Sequence, residues 1–294
     1  MAVASRGFGA LRTYLEMIKI EHSIFALPFA MLGMIWAAPT GWPGWPTFGW
    51  IVLAMVSCRS AAMAYNRIAD RDVDAINPRT AKRAIPAGLI RTAQVATFLA
   101  VSIALFLLSA AMLNRLALEL SPIALLVTLG YSHAKRFTSL SHLWLGASLG
   151  IAPAAAYIAV RASVSVQILL IAAAVTFWTA GFDIIYSLQD AEFDRANGLH
   201  SLPARIGPAN ALATSRVFHV LAVACLAAAG WLQHVGPLYY CGVALAAALL
   251  AYEQSLVSPQ DQSKVNLAFF NLNGYVSIGV FLFALLDRLV WHPK

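Results

Sequence analysis

The chain is a succession of long apolar runs, about nine of them, each close to the roughly 17–25 residues that an α-helix needs to cross a bilayer. Their cores begin near His22, Phe48, Ala93, Leu118, His142, Val166, Ala211, Pro237 and Asn266. Short polar or Pro/Gly stretches separate them, such as Pro39-Thr40-Gly41-Trp42-Pro43 and Ser258-Pro259-Gln260-Asp261. Only Asn114-Arg115 divides the third run from the fourth, so eight spans is the alternative count. The expected fold is all-α, a polytopic membrane bundle. Composition agrees. Hydrophobic residues make up 60% of the chain and charged residues only 11%, against about 25% charged in soluble domains. A chain this apolar cannot cover its surface with polar groups, so membrane lipid is its solvent. A single membrane domain over residues 1–294 is the economical reading. Residues 1–20 are mixed rather than apolar and read as a short amphipathic helix lying on the membrane, not as a cleavable signal.

The net charge of +7 would suggest nucleic acid as a partner in a soluble protein. Here no soluble basic surface is left to bind it, and nucleic acid is excluded as a partner. The basic residues alternate between connections instead. Arg6, Arg12 and Lys19 precede the first span, and Arg71, Arg79, Lys82, Arg83 and Arg91 follow the second. Lys135 and Arg136 follow the fourth, Arg195 and Arg205 the sixth, and Lys264 the eighth. The other connections hold little beyond Arg115 and Arg161. The excess of lysine and arginine on one side places the N-terminus and the even-numbered connections in the cytoplasm. Trp42, Trp45 and Trp50 suit the outer interface. Cys58, Cys225 and Cys241 lie singly in apolar runs, which argues against a disulfide framework or a zinc site.

The thirteen acidic residues are concentrated. Asp70, Asp72, Asp74, Asp183, Asp190, Glu192 and Asp194 lie at the ends of spans two and six. Spans four apart run in the same direction, so both clusters face the same side. Asn66, Asp70 and Asp74 follow at i, i+4 and i+8, a drift of about 40° per step on a helix. Asp183, Asp190 and Asp194 fall within about 20° of one stripe; Asp72 and Glu192 point elsewhere. Asn77-Pro78 should end the first helix and Gly198 the second. The segment from Asp70 to Asn77 aligns with that from Asp190 to Asn197, the trace of a duplicated unit whose parallel halves face a central cavity.

Carboxylates at a helix C-terminus meet the negative end of the macrodipole and repel one another. The arrangement is unfavourable unless a cation sits there. Magnesium takes oxygen ligands and is usually held by a few carboxylates together with substrate phosphates. Arg79, Lys82, Arg83, Lys135, Arg136, Arg195 and His200 are available to neutralise phosphate charge. A diphosphate bridged by magnesium is the ligand that this pattern suits.

Asn66-Arg-Ile-Ala-Asp70-Arg-Asp-Val-Asp74 resembles the NxxxDxxxD signature of the UbiA superfamily of membrane prenyltransferases. Asp183-Ile-Ile-Tyr186-Ser-Leu-Gln-Asp190-Ala-Glu-Phe-Asp194 resembles its second signature. The basic segment from Asn77 to Gly88 and Tyr131-Ser-His-Ala-Lys135-Arg136 resemble the loop after the first signature and the family's tyrosine and basic pair. The likeness covers most of the chain and is greatest to the 4-hydroxybenzoate polyprenyltransferase-like branch, which includes menaquinone-pathway members. It implies about nine helices around a cavity, with an isoprenoid tail in a lipid-side tunnel. It implies transfer of a polyprenyl group from polyprenyl diphosphate to an aromatic acceptor, 4-hydroxybenzoate or a dihydroxynaphthoate, with Mg2+ as cofactor. Asp70, Asp74, Asp190 and Asp194 would hold the metal. Asn66, Arg79, Arg83, Lys135, Arg136 and His200 would bind the diphosphate. Asp183 and Tyr186 would face the cavity near the reacting carbon, and Tyr131, the third catalytic candidate, would contact phosphate or shield the cation. The resemblance also suggests a bacterial plasma membrane. His200 stands where relatives often carry lysine, and Lys19, Glu21 and His22 where benzoate readers are expected to carry arginine, which leaves the acceptor open.

Asp183 lies about 10 Å inward from Asp190 at 1.5 Å per residue, deep enough to orient the acceptor or take its proton. Arg59, seven residues before Asn66, either lines the cavity, opposite Asp183, or pairs structurally. Arg216 suits snorkelling, Asn271 and Asn273 suit interhelical hydrogen bonds, with substrate contact as the alternative, and Gly146 and Gly150 suit close helix packing. His133, His142, His219 and His234 show no ligand spacing. Two other functions fit parts of the pattern. An ion-coupled carrier would use parallel repeats and acids, but at midplane rather than at helix ends. A CDP-alcohol phosphatidyltransferase needs a DGxxAR sequence that Asp70-Arg-Asp-Val-Asp74 lacks.

Overall fold

A computed structural model describes residues 13–19 and 23–291. His22 and most of the proposed interfacial segment 1–20 lie outside them; residues 13–18 are helical (α1). The long helices are α2 (Ser23–Ala37), α3 (Trp45–Ala69), α5 (Thr92–Leu113), α6 (Arg115–Ala134), α7 (Ser141–Arg161), α8 (Val166–Ser187), α11 (Pro208–Gln233), α12 (Pro237–Ser255) and α14 (Asn273–Val290). Between them lie the short helices α4 (Arg71–Ile76), α9 (Ala191–Ala196), α10 (Leu202–Ile206) and α13 (Val265–Leu267). A 3₁₀ turn covers Leu188–Asp190, and a π-helical turn, Ala268–Leu272, leads into α14.

Among the described residues, seven helices are long and apolar enough to cross a membrane. The helices at the expected first and eighth positions fall short of that measure. α2 has only 15 residues, and the 19 residues of α12 end in the polar run Glu253-Gln254-Ser255. The division at Asn114 is real and has a clear cause. Its side chain caps α6 by accepting from the Ala117 N–H at 2.9 Å, and it donates to the carbonyls of Ile158 and Ala159 at 2.8 and 3.1 Å. One amide thus starts a helix and ties the α5–α6 corner to α7. Proline in the first turn helps to start α3, α10, α11 and α12, where its missing N–H costs nothing.

α8 is the most enclosed of these spans, packed between α7 and α11 and touching α2. A Cβ on Gly146 would stand 2.2 Å from the Thr176 carbonyl oxygen, and one on Gly150 2.5 Å from that of Ala172. The two glycines therefore set the α7–α8 separation, as small residues do where lipid gives no hydrophobic drive to associate. Asn273 works across helices too, accepting from Trp178 Nε1 at 2.6 Å and donating to Glu253 at 3.1 Å; Asn271 and Arg216 are exposed. Large apolar side chains such as Val101, Leu108, Leu126, Val220 and Leu289 face outward, as on a surface solvated by lipid. Trp42, Trp45 and Phe48 cluster at one end of the bundle. The aspartates lie at the other.

Candidate active site

Each aspartate segment begins where a long helix breaks. α3 stops at Ala69, Asp70 takes φ −96° and ψ 4°, and α4 follows for six residues. α8 ends in its 3₁₀ turn, Asp190 takes φ −104° and ψ 2°, and α9 follows for six residues. Both aspartates thus occupy the bridge region of backbone space, where active-site residues are often found. Asn77 and Asn197 end the two short helices. Gly198, at φ +66°, lets the chain turn away in a left-handed conformation. The duplicated sequence is a duplicated local structure. The expected single helical stripes are corrected accordingly: each is broken at its central aspartate. The hydrogen-bond ladder still runs from the Asp70 N–H to the Asn66 carbonyl at 2.9 Å and from the Asp74 N–H to the Asp70 carbonyl at 2.7 Å. Asn66 Nδ2 accordingly reaches Asp70 Oδ2 at 2.7 Å. Asp72 and Glu192 are exposed and point away.

The two segments meet through cations. Arg79, carried on the loop that follows α4, crosses to the second segment, where Nε donates to Asp190 Oδ1 at 2.8 Å and Nη2 to Asp190 Oδ2. Its Nη1 donates to the Tyr186 hydroxyl at 3.0 Å. Asn77 Nδ2 adds a bond to Asp190 at 3.3 Å. Arg83 Nη1 lies 2.7 and 2.8 Å from the two oxygens of buried Asp74. Arg136 donates to Asp70 at 3.2 Å and to the Ala69 carbonyl. Lys135 Nζ stands 3.7 Å from Asp194. Four carboxylates thus face four cations, one each, and a fifth cation, buried Arg67, stands among them, donating to Asn66 Oδ1 at 3.2 Å. Burial raises the Asp70 carboxyl above its usual range; Arg136 opposes this and Asp74 adds to it. Burial disfavours the Arg79 charge, but the bonds to Asp190 outweigh it and keep its pKa above the ordinary arginine value.

Among the described residues no three acidic, histidine or cysteine side chains converge tightly enough to hold a metal alone. The donors are nevertheless of the right kind. They are carboxylate oxygens in two groups, and Asp194 Oδ2 is buried with no hydrogen-bond partner among the described residues, only the more distant charge of Lys135. That arrangement fits an ion such as magnesium, which takes one or two carboxylates and completes its shell from phosphate and water.

An elongated cavity of about 350 Å³ lies between α3, α5, α6 and α7. Its walls are apolar, with Tyr131 and Arg59 at the end nearest the aspartates and Ala117, Leu113 and Ala159 at the other. From Tyr131 to Ala117 along α6 is about 21 Å at 1.5 Å per residue. The polar end adjoins the first aspartate segment: Ser132, next to Tyr131, stands 3.4 Å from Asn66 Nδ2. Arg59 lines this cavity but donates to the Lys19 carbonyl at 3.0 Å. It is not the partner of Asp183. That partner is His142, at 2.6 Å, which the sequence did not single out. Tyr186 stacks on Phe269 with ring centroids 4.3 Å apart. The His200 side chain is exposed and has no partner among the described residues, although its backbone N–H donates to the Lys135 carbonyl at 2.7 Å. Arg195 is exposed and donates to the Ala204 carbonyl; Lys82 is exposed as well.

The chain is 32% identical to the 4-hydroxybenzoate octaprenyltransferase of Citrobacter koseri over 92% of its own length and 94% of that protein's. Among solved structures it superposes on a UbiA homolog from Aeropyrum pernix K1 with TM-score 0.77 and 35% identity, covering 92% of this chain and 98% of that one. A UbiA homolog from Archaeoglobus fulgidus, bound to GPP and Mg2+, shares the fold with TM-score 0.72 at 20% identity, over 95% of this chain and all of that one. The model of the UbiA prenyltransferase family matches residues 26–275. With the paired aspartate segments, the cations joining them and the apolar cavity beside them, this places the chain in the UbiA prenyltransferase family.

Proposed function

We propose that this protein transfers a polyprenyl group from its diphosphate to an aromatic acceptor of the 4-hydroxybenzoate or dihydroxynaphthoate type, in a magnesium-dependent reaction. One observation carries the reading. Two aspartate segments with the same backbone break are joined by Arg79 beside an apolar cavity whose lining spans about 21 Å of α6. A diphosphate needs the cations, and an isoprenoid chain needs the cavity. The relatives named 4-hydroxybenzoate octaprenyltransferase support the same chemistry, as does a neighbour bound to GPP and Mg2+. Family membership favours this reading over an ion-coupled carrier or a phosphatidyltransferase.

Asp70, Asp74, Asp190 and Asp194 would hold the magnesium, which supplies positive charge to stabilise the leaving diphosphate. Arg79, Arg83, Lys135 and Arg136 neutralise an arriving diphosphate by exchanging carboxylate for phosphate partners. Asn66 and His200 add polar contacts. The bond between the allylic carbon and oxygen breaks, and its electron pair leaves with the diphosphate. The dry cavity keeps water from trapping the allylic cation. The ring of Tyr131, which lines the cavity, presents a negative face to that cation, whereas that of Tyr186 packs on Phe269 and lies beneath Arg79, which it helps to hold. A ring carbon of the acceptor forms the new carbon–carbon bond with a π electron pair. The ring proton then passes to Asp183. The alternation of basic connections supports an orientation with the N-terminus and aspartates cytoplasmic, and the family resemblance supports a bacterial plasma membrane.

The test is incubation of purified protein with prenyl diphosphates and each acceptor, with and without magnesium, read by mass spectrometry. A magnesium-dependent prenylated product supports the reading and names the acceptor. Absence of diphosphate binding to folded protein would overturn it.

A further inference from the structure

His142 is buried at the start of α7, outside both aspartate segments. Its Nδ1 lies 2.6 Å from Asp183 Oδ2, and its Nε2 lies 3.2 Å from the backbone nitrogen of Leu202. An amide N–H can only donate, so Nε2 is the acceptor and carries no proton. The ring of a neutral imidazole then has its one proton on Nδ1 and gives it to Asp183. Asp183 Oδ1 has no hydrogen-bond partner among the described residues. One oxygen of this carboxylate is therefore fixed and the other is left to accept.

The Leu202 end of this link is equally informative. Residues 198–206 follow the second aspartate segment and are stapled to residues 135–142 at three points. The His200 N–H donates to the Lys135 carbonyl at 2.7 Å, the Leu202 N–H to His142, and Arg205 Nη1 to Ser139 Oγ at 2.8 Å. The middle staple continues through one imidazole ring to Asp183. On α7, His142, Leu145 and Leu149 recur at i, i+3 and i+7, one face of a helix, and the two leucines line the cavity. The His142–Asp183 pair thus lies one turn beyond the lining leucines, toward the aspartates, and neither residue is itself part of the cavity lining.

We propose that His142 is a positioning residue for prenyl transfer, one that orients Asp183 and makes its orientation depend on the seating of residues 198–206. This rests on the reaction proposed above. A helix-end histidine with a purely structural role would cost stability when replaced, but would not act through Asp183.

The experiment compares His142→Leu, His142→Gln, Asp183→Asn and the double variant His142→Leu/Asp183→Asn in the magnesium-dependent assay. Leucine offers neither donor nor acceptor; the glutamine amide offers one of each, as the neutral imidazole does. His142→Leu should lower kcat by about tenfold or more, since a positioned proton acceptor contributes about 10²–10⁴, and leave KM for prenyl diphosphate within about twofold. His142→Gln should recover most of the loss. In the Asp183→Asn background, His142→Leu should lower kcat no further, because one interaction cannot be lost twice. Unchanged kcat in His142→Leu, or a full additional loss in the double variant, overturns the assignment while leaving the reaction standing. No turnover by the wild-type protein overturns both. A readout independent of turnover is the ¹⁵N spectrum of His142, which should show Nδ1 protonated and Nε2 bare. The reverse pattern refutes the geometry whatever the kinetics.

Discussion

Removing Arg79 should destabilise the protein mainly by stranding Asp190. Arg79→Ala deletes both guanidinium bonds to Asp190 and the bond to Tyr186. It leaves a carboxylate that is 8% exposed with one 3.3 Å bond from Asn77 and the more distant charge of Lys135. Breaking a buried pair from one side costs about 3–5 kcal/mol. Arg79 itself is 32% exposed, and solvent screening reduces the figure to about 2–3 kcal/mol. At about 2–4 °C per kcal/mol for large domains, Tm should fall by about 4–12 °C. The assay is thermal unfolding in detergent, followed by circular dichroism, for wild type, Arg79→Ala, Asp190→Asn and the double variant. If the cost is the stranded charge, Arg79→Ala/Asp190→Asn should recover at least half of the lost stability. Added magnesium should raise the Tm of Arg79→Ala more than that of wild type, since a bare carboxylate gains most from a new cation. Strictly additive losses in the cycle, or equal magnesium effects, would refute the reasoning.

Asp70→Ala and Asp190→Ala should each abolish turnover, and retained magnesium-dependent product in either would remove that residue from the metal site. Ala124 lines the cavity about 10 Å along α6 from Tyr131. Ala124→Trp should therefore block long prenyl chains while sparing short ones, seen as a rise in KM with chain length. Gly146→Val places side-chain atoms against the Thr176 carbonyl. It should cost about 1–3 kcal/mol by overpacking, seen as a lowered Tm, with serine tolerated better than valine.

The membrane character, the approximate helix positions and the paired aspartates were legible because each is a matter of composition or short-range spacing. Apolar run length sets span number to within the two helices that fall short, α2 and α12. The i, i+4 relation between Asn66 and Asp70 survives in a 2.7 Å bond because it spans a single turn. The relation to Asp74 was read as one helix, whereas the chain breaks at Asp70. Helical spacing does not reveal such a break, because the α4 turn keeps the side chains near the same face. The repeat was visible in eight residues. That its two copies share a backbone conformation was not.

Long-range pairing is what the sequence withheld. Nothing in the spacing of Arg79 and Asp190, 111 positions apart, distinguishes Asp190 from Asp74 as the partner; the fold gives Asp74 to Arg83 and sends Arg79 across. Arg59 had the intramembrane position that suggests a partner for Asp183, yet it bonds to the Lys19 carbonyl. His142 looked like one of several unpatterned histidines until α7, α8 and α10 came together around it. By itself the sequence determined the solvent of this protein, its helical class and the gathering of acids and cations at one end of the bundle. These follow from transfer free energy and from residues within a few turns of one another. Which cation meets which carboxylate was decided only by the tertiary structure, because charge specifies that buried acids be paired but not with whom.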